Sequence, residues 1–243
     1  MIILHDACAR AQHRLVSTEN LQGATVCEKT IFFIRHGQTN SNLTQTIQSP
    51  DEPLNTNGKQ QVELLAARLA RAKSKFAFTK IVSSDFLRAR ETAEAIAKAT
   101  GVPVEYSPLF HECLHPSRIW GLNVDHPDAL STIGSLIKRY HDPLFTYEDG
   151  ETFTQARNRA SRALAHLLEM DDDCIAVVSH GNFCTYLFNV AIHGDAVTSE
   201  ILERMPAYMG NSGIVKFTHG KYHRFSGPYV GWRLWSGDLA HLE

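Results

Sequence analysis

Two short apolar runs end in the same way. Ile31-Phe32-Phe33-Ile34 passes into Arg35-His36-Gly37, and Cys174-Ile175-Ala176-Val177-Val178 passes into Ser179-His180-Gly181. Short apolar runs rich in β-branched and aromatic residues, with no polar alternation, mark strands covered on both faces, as in parallel sheets flanked by helices. The chain between them fits that frame. Val62, Leu65, Ala66 and Leu69 recur at three and four, predicting a helix from Lys59 to about Lys73. Lys80–Ser84 reads as a second strand, followed by a helix that Asp85 caps and that runs to about Thr100, with Phe86, Ala89, Ala93 and Ile96 inward and Gly101 past its end. Residues 102–106 read as a third strand, 129–140, 151–170 and 182–192 as helices, and Gly37–Gly58 and Pro108–Pro127 as loops. The chain closes on a hairpin turning at His219-Gly220. Strands alternating with helices define an α/β class with a largely parallel sheet.

At 243 residues the chain is long enough to bury its own core. Residues 1–29 carry few large apolar side chains and read as a loosely ordered N-terminal extension; residues 30–243 read as a single domain, without repeat or linker. The balance of 24 Lys+Arg against 26 Asp+Glu, a net charge of -2, argues against a nucleic-acid or membrane-surface binder that relies on a basic face. No apolar run reaches the roughly 18 residues of a membrane span, and the three-residue apolar start is too short for a secretion signal, so a cytoplasmic protein is expected. Five cysteines at unrelated spacings read as reduced thiols.

His-Gly alone is a weak signal, since it occurs four times. His193-Gly194 fits a helix end and His219-Gly220 a turn. His36 and His180 differ because each sits at the carboxyl end of a buried strand, the edge where open α/β sheets bind ligands and where a helix N-terminus offers free N–H groups to an anion. Arg88 adds to this. Placed in the first turn of a helix, it opposes the macrodipole, and its fork suits a phosphate or carboxylate held over the sheet edge.

These residues carry a resemblance. Arg35-His36-Gly37-Gln38-Thr39 with Asn42, then Pro53-Leu54 with Gly58, then Leu87-Arg88-Ala89 with Thr92-Ala93, then Ser179-His180-Gly181, are similar in kind and order to the histidine phosphatase superfamily, also called the phosphoglycerate mutase-like family. The resemblance implies a three-layer α/β/α sandwich and a phosphohistidine mechanism that needs no metal or other cofactor. It implies His36 as nucleophile, and Arg35, Arg88 and His180 as clamps on the phosphoryl oxygens, with Asn42 and Asn182 as further phosphate ligands. Glu112 matches the general acid best, with Glu148 and Glu151 in reserve; the flanking His111 and His115 depart from common family patterns.

His111-Glu112-Cys113-Leu114-His115 is also a formal HExxH, the zinc-protease pattern, but Pro116 disfavours helical geometry at His115. Gly150-Glu151-Thr152 resembles a segment many family members carry after the mid-chain loop, and equally fits a helix cap. The expected reaction is hydrolysis of a small phosphomonoester. Mutase-type transfer in the same pocket is the alternative, weighed down by the absence of the longer insertions of glycolytic mutases; Arg118, Lys138 and Arg139 are the basic residues available for a second anion. A catalytically idle phosphate binder is a further reading. The expected partner is a small phosphorylated substrate, with a homo-oligomer possible.

Overall fold

The fold is built outward from one parallel strand pair. In the computed structural model, which describes residues 28–139, 142, 145–204, 209–224 and 227–238, β1 (Lys29–Arg35) pairs with β4 (Cys174–Ser179) so that Ile31 lies opposite Ile175 and Arg35 opposite Ser179. β2 (Lys80–Ser83) flanks β4 and β3 (Val104–Tyr106) flanks β2, all parallel. On the other side of β1 lies β5 (Ile214–Arg224), antiparallel to it, and then β6 (Gly227–Asp238), antiparallel to β5. The sheet order is β3-β2-β4-β1-β5-β6.

Every residue from Ile31 to Ile34 is at most 4% exposed, so this strand is covered on both faces. Ile31, Phe33, Ile175, Val177 and Phe217 face one layer, formed by α5 (Phe153–Glu169) and α6 (Gly181–His193). Phe32, Ile34, Ala176, Val178 and Ile214 face the other, formed by α2 (Thr56–Arg71) and α3 (Leu87–Thr100). This is the expected three-layer α/β/α sandwich. Burial of each large apolar side chain contributes about 1.5–3 kcal/mol, and the residues expected inward on α2 and α3 are all buried.

Several boundaries differ from expectation. α2 starts at Thr56 rather than Lys59, because the Asn55 side chain accepts the Gly58 N–H at 2.7 Å and caps the helix there. The cap residue of α3 is Phe86, not Asp85: the Phe86 N–H goes to Ser84 Oγ, the Leu87 N–H to the Pro50 carbonyl, and the Asp85 carboxylate turns away to His111. The loop from Gly37 contains a short helix, α1 (Asn40–Thr44), closed by a Thr39/Asn42 capping box. The mid-chain helix α4 spans Pro127–Arg139, and α7 (Ser199–Arg204) was not expected. His219-Gly220 is not a turn. Both residues lie inside β5, with Gly220 opposite Gly231, because the strand is held by β6 on one side while Lys29 of β1 pairs with His219 on the other.

The expected extension lies outside the described residues except for Glu28 and Lys29, and Lys29 already belongs to β1. Cys113, Cys174 and Cys184 are free thiols; Cys8 and Cys27 lie outside the described residues. Among the described residues no helix is long and apolar enough to cross a membrane.

Two glycines weld the turn after β1 to α2. A Cβ on Gly37 would sit 2.6 Å from the Gly58 carbonyl oxygen, and one on Gly58 would sit 2.0 Å from that of Gln38. Both contacts are backbone, so no side chain can swing aside. Gly58→Ala is therefore expected to lower stability by about 1–3 kcal/mol in urea unfolding, as overpacking does, despite the better helix propensity of alanine. An unchanged midpoint would refute the close approach.

Candidate active site

With Arg35 opposite Ser179, the next residues of β1 and β4 leave the sheet edge together. The rings of His36 and His180 lie 5.1 Å apart between centroids. His36 Nδ1 is 2.7 Å from the Gly37 carbonyl; a carbonyl only accepts, so Nδ1 holds the proton and Nε2 keeps its lone pair. Burial, and then the charges of Arg88 and Arg35, push the His36 pKa well below the usual range, against the pull of the Gly37 bond. The imidazole is neutral at neutral pH, the form a nucleophile needs.

His180 occupies the N-cap position of α6, and its Nε2 is 2.8 Å from Ser84 Oγ. When Ser84 donates this bond, His180 Nδ1 carries the proton. Burial and the nearby charge of Arg88 hold this ring neutral as well.

Arg88 is wholly buried. Its Nη1 donates to the Ser49 carbonyl at 2.8 Å. Burial lowers its pKa to about 10, with Arg35 acting the same way and Glu112 and Glu52 opposing, so it stays cationic at neutral pH. Arg35 Nη1 donates to the Met209 carbonyl at 2.6 Å, and its guanidinium rests on Gly181, where a Cβ would approach Cζ to 3.3 Å. Four buried nitrogens at this place have no hydrogen-bond partner among the described residues: Arg35 Nε, Arg88 Nε and Nη2, and His180 Nδ1. Leaving a buried polar group unpaired costs about 1–3 kcal/mol. Three guanidinium nitrogens and one imidazole nitrogen clustered this way fit an anion that offers several acceptor oxygens.

The other expected site residues gather at a cleft of about 330 Å³ lined by Arg35, Asn42, Glu112 and Asn182 among others. His36, Arg88 and His180 are 1%, 0% and 0% exposed and lie beside it. Glu112 accepts N–H groups from Cys113 at 2.9 Å, Phe183 at 2.8 Å and Asn182 at 3.3 Å, which fixes its carboxylate at the N-terminus of α6. Burial holds the flanking His111 and His115 below the ordinary histidine range, so neither adds positive charge beside it at neutral pH. Asn42 Oδ1 is shared between the Thr39 N–H and Asn211 Nδ2.

A larger cavity, about 590 Å³, opens at the amino ends of β1 and β4, lined by Lys29, Thr30 and Asp173 among others. None of its lining residues has an orphaned buried donor among the described residues.

Both reserve carboxylates are committed elsewhere. Glu148 takes Arg118 in a fork at 2.8–3.0 Å. Glu151 takes buried Arg159, Nε to Oε1 at 2.8 Å and Nη2 to Oε2 at 2.5 Å, while Thr152 caps α5. Arg159 donates in addition to the carbonyls of Leu109 (3.1 Å), His111 (2.8 Å) and Glu112 (3.4 Å), and its Cζ lies 3.8 Å above the Phe183 ring. It thus ties the Glu112 segment to α5 and α6.

The HExxH residues are not on a helix. His111 follows a single 3₁₀ turn (Pro108–Phe110) and pairs with Asp85, Glu112 faces α6, and His115 Nδ1 meets the Tyr147 hydroxyl at 3.0 Å. The i, i+4 arrangement that would aim both imidazoles at one zinc is not formed.

Sequence reading passed over three contributors. Ser84 lies in the strand-to-helix junction, a position that could have flagged it. Arg159 is one of three arginines on α5, and only burial separates it from the others. Asn211 bridges the His36 carbonyl (3.2 Å) and Asn42 (3.0 Å) from 175 and 169 residues away, with no local signal.

Comparison with known proteins agrees with this geometry. The profile of the histidine phosphatase superfamily (branch 1) matches residues 31–223. A probable phosphoglycerate mutase, GpmB, of Serratia proteamaculans (strain 568) is 39% identical over 220 residues, covering 88% of this chain and 94% of that protein. The GpmB of an Enterobacter species (strain 638) is 30% identical over 229 residues with the same coverage. Among solved structures, phosphoserine phosphatase of Entamoeba histolytica shares the fold at a TM-score of 0.66 and 23% identity, over 88% of this chain and all of that one. A mycobacterial glucosyl-3-phosphoglycerate phosphatase does so at 0.64 and 24%, over 86% and 98%. The chain belongs to the histidine phosphatase superfamily, a family of enzymes.

Two expectations follow. Arg159→Met strands the Glu151 carboxylate at a site only about a tenth exposed and should cost about 3–5 kcal/mol in urea unfolding; adding Glu151→Met should recover part of the loss, and a single variant as stable as wild type would refute the role of the pair. Secondly, His36, His180, His111 and His115 all have lowered folded pKa values. Below about pH 6.5 the unfolded chain therefore binds more protons than the fold. Stability should hold above that pH and fall as pH drops from about 6.5 to 5; a flat urea midpoint over that interval would contradict it.

Proposed function

We propose that this protein is a phosphatase that hydrolyses a small phosphomonoester through a phosphohistidine on His36. The observation that carries the reading is the cluster of four orphaned buried donors beside a neutral, tautomer-fixed histidine. In the first step the lone pair of His36 Nε2 attacks phosphorus in line. The P–O bond to the alcohol breaks as Glu112 delivers a proton to the departing oxygen. Arg35, Arg88 and His180 hold the non-bridging oxygens through the N–H groups that lack protein acceptors, and Asn42 and Asn182 border the same pocket from the cleft wall. In the second step water attacks phosphorus, the P–N bond breaks, and the proton from water returns to the Glu112 carboxylate. Histidine emerges neutral and inorganic phosphate leaves.

One observation keeps a second reading in view: the 39%-identical relative is named a probable phosphoglycerate mutase. Hydrolysis is favoured because the basic residues that could hold a second anion are engaged or distant. Arg118 is forked on Glu148, Arg139 pairs with Asp142 at 2.8 Å, and Lys138 is not among the residues lining the cleft.

The test measures released phosphate and isomerised phosphoglycerate separately, with and without 2,3-bisphosphoglycerate. Wild type should release phosphate from phosphomonoesters and His36→Ala should not; Arg88→Met should lose about 10²–10³ in kcat/KM, the effect of removing a transition-state donor. Full activity in His36→Ala would sink the mechanism, and isomerisation outpacing release would replace phosphatase by mutase.

A further inference from the structure

Beyond the phosphoryl clamp, the wall of the cleft carries no cation of its own. Ile47, Val124, Ile133 and Met209 line it together with the uncharged polar Thr46, Gln48 and Thr185, and among the described lining residues Arg35 is the sole lysine or arginine. Arg35 is turned toward the phosphoryl position, between Gly181 and the Met209 carbonyl. Glu112 lines the same cleft, held by the Phe183 N–H at the N-terminus of α6.

This wall is built rather than incidental. Ile47 (6% exposed) joins Ile119 and Ala129 in a small core of its own, with Trp120, Leu122 and Ile133 against it, apart from the two clusters that sandwich the sheet. Backbone hydrogen bonds lock its two loops together: Ile47 N–H to the Leu122 carbonyl at 2.9 Å, Gly121 N–H to that of Ile47 at 2.7 Å, and Val124 N–H to that of Gln45 at 2.9 Å. The segment after Val124 closes the rest, α4 bringing Ile133 to the cleft. His115, also at the cleft, is kept neutral by burial and spends Nδ1 on Tyr147. Arg118, the nearest cation of this loop in sequence, is bound to Glu148 and to Thr132 Oγ1 at 2.8 Å.

From this arrangement we infer that the substrate is a phosphomonoester whose alcohol is uncharged, and that the site selects against alcohols bearing a carboxylate or a second phosphate. The inference rests on the phosphatase reading above. A leaving group with its own anion would place that charge beside a wall with no cation to meet it, giving up water without a replacement. An uncharged group meets no such penalty and covers the apolar surface of Val124 and Ile133. A cleft of about 330 Å³ falls at the small end of ligand pockets, which sets the scale at a single ring or a short chain.

The experiment compares kcat/KM for 2-phenylethyl phosphate with that for O-phosphoserine and 3-phosphoglycerate at constant ionic strength, each corrected with His36→Ala. All three are alkyl esters, so the leaving oxygen is similar and the difference reports the wall. Phenylethyl phosphate should be favoured by at least about tenfold. Ile133→Lys should shift the ratio toward 3-phosphoglycerate by about tenfold or more; should that chain not fold, Val124→Lys, at a position already 36% exposed, applies the same test. Equal or reversed preference, with phosphate release still dependent on His36, overturns the substrate class and leaves the phosphatase reading intact. No His36-dependent release from any of the three, or from p-nitrophenyl phosphate, overturns both.

Discussion

The in-register parallel pairing of β1 with β4 is the constraint on which the site depends. Because Arg35 sits opposite Ser179, the residues that follow emerge at one height, and two imidazoles meet at the carboxyl edge. A slip of one residue would turn each side chain of β1 to the opposite face, separating Phe33 from Phe217 and Phe188 and carrying His36 away from His180. Core packing and the meeting of the two histidines are therefore specified by the same ladder. The apolar alternation that makes the sheet stable is what aims the histidines.

Around that pair the fold gathers positive charge and leaves it incompletely paired. Arg88, wholly buried, spends one guanidinium nitrogen on Ser49; Arg35 spends one on Met209. Burial and then the Arg88 charge hold both histidines neutral, with Arg35 adding to the effect on His36. One arrangement thus serves two ends: it fits an anion and it keeps the His36 imidazole neutral. The cost is borne by the surrounding structure, where capped helices, two abutting glycines and the Glu151–Arg159 pair leave few ways for the site to relax.

The segment between β3 and α5 does the opposite work. It is nearly free of regular structure until α4, yet it is tied down at every stage: Arg159 holds the carbonyls around Glu112, Glu148 holds Arg118, and Ile47 closes on Leu122. The sheet edge gathers the histidines and arginines, and this segment walls the cleft beside them.

Much of this was readable from residues alone. Short doubly buried strands, helices with spaced apolar residues and two histidines at strand ends carry local, periodic signals, so the α/β class, the three layers and the clustering of Arg35, His36, Arg88 and His180 followed from them and from the family resemblance they support. Local signals also misled where a neighbour in space outweighed them. His219-Gly220 reads as a turn but is held in the ladder by β1 and β6, and Asp85 reads as a cap but is drawn off by His111. Only the tertiary structure could decide that Asn211 braces His36 from 175 residues away, that Arg159 rather than another arginine anchors the Glu112 segment, and which residues wall the cleft. Periodicity records how a segment buries its own face. It holds no information about which distant polar group or loop will meet that segment, because that is settled by the packing of the whole chain.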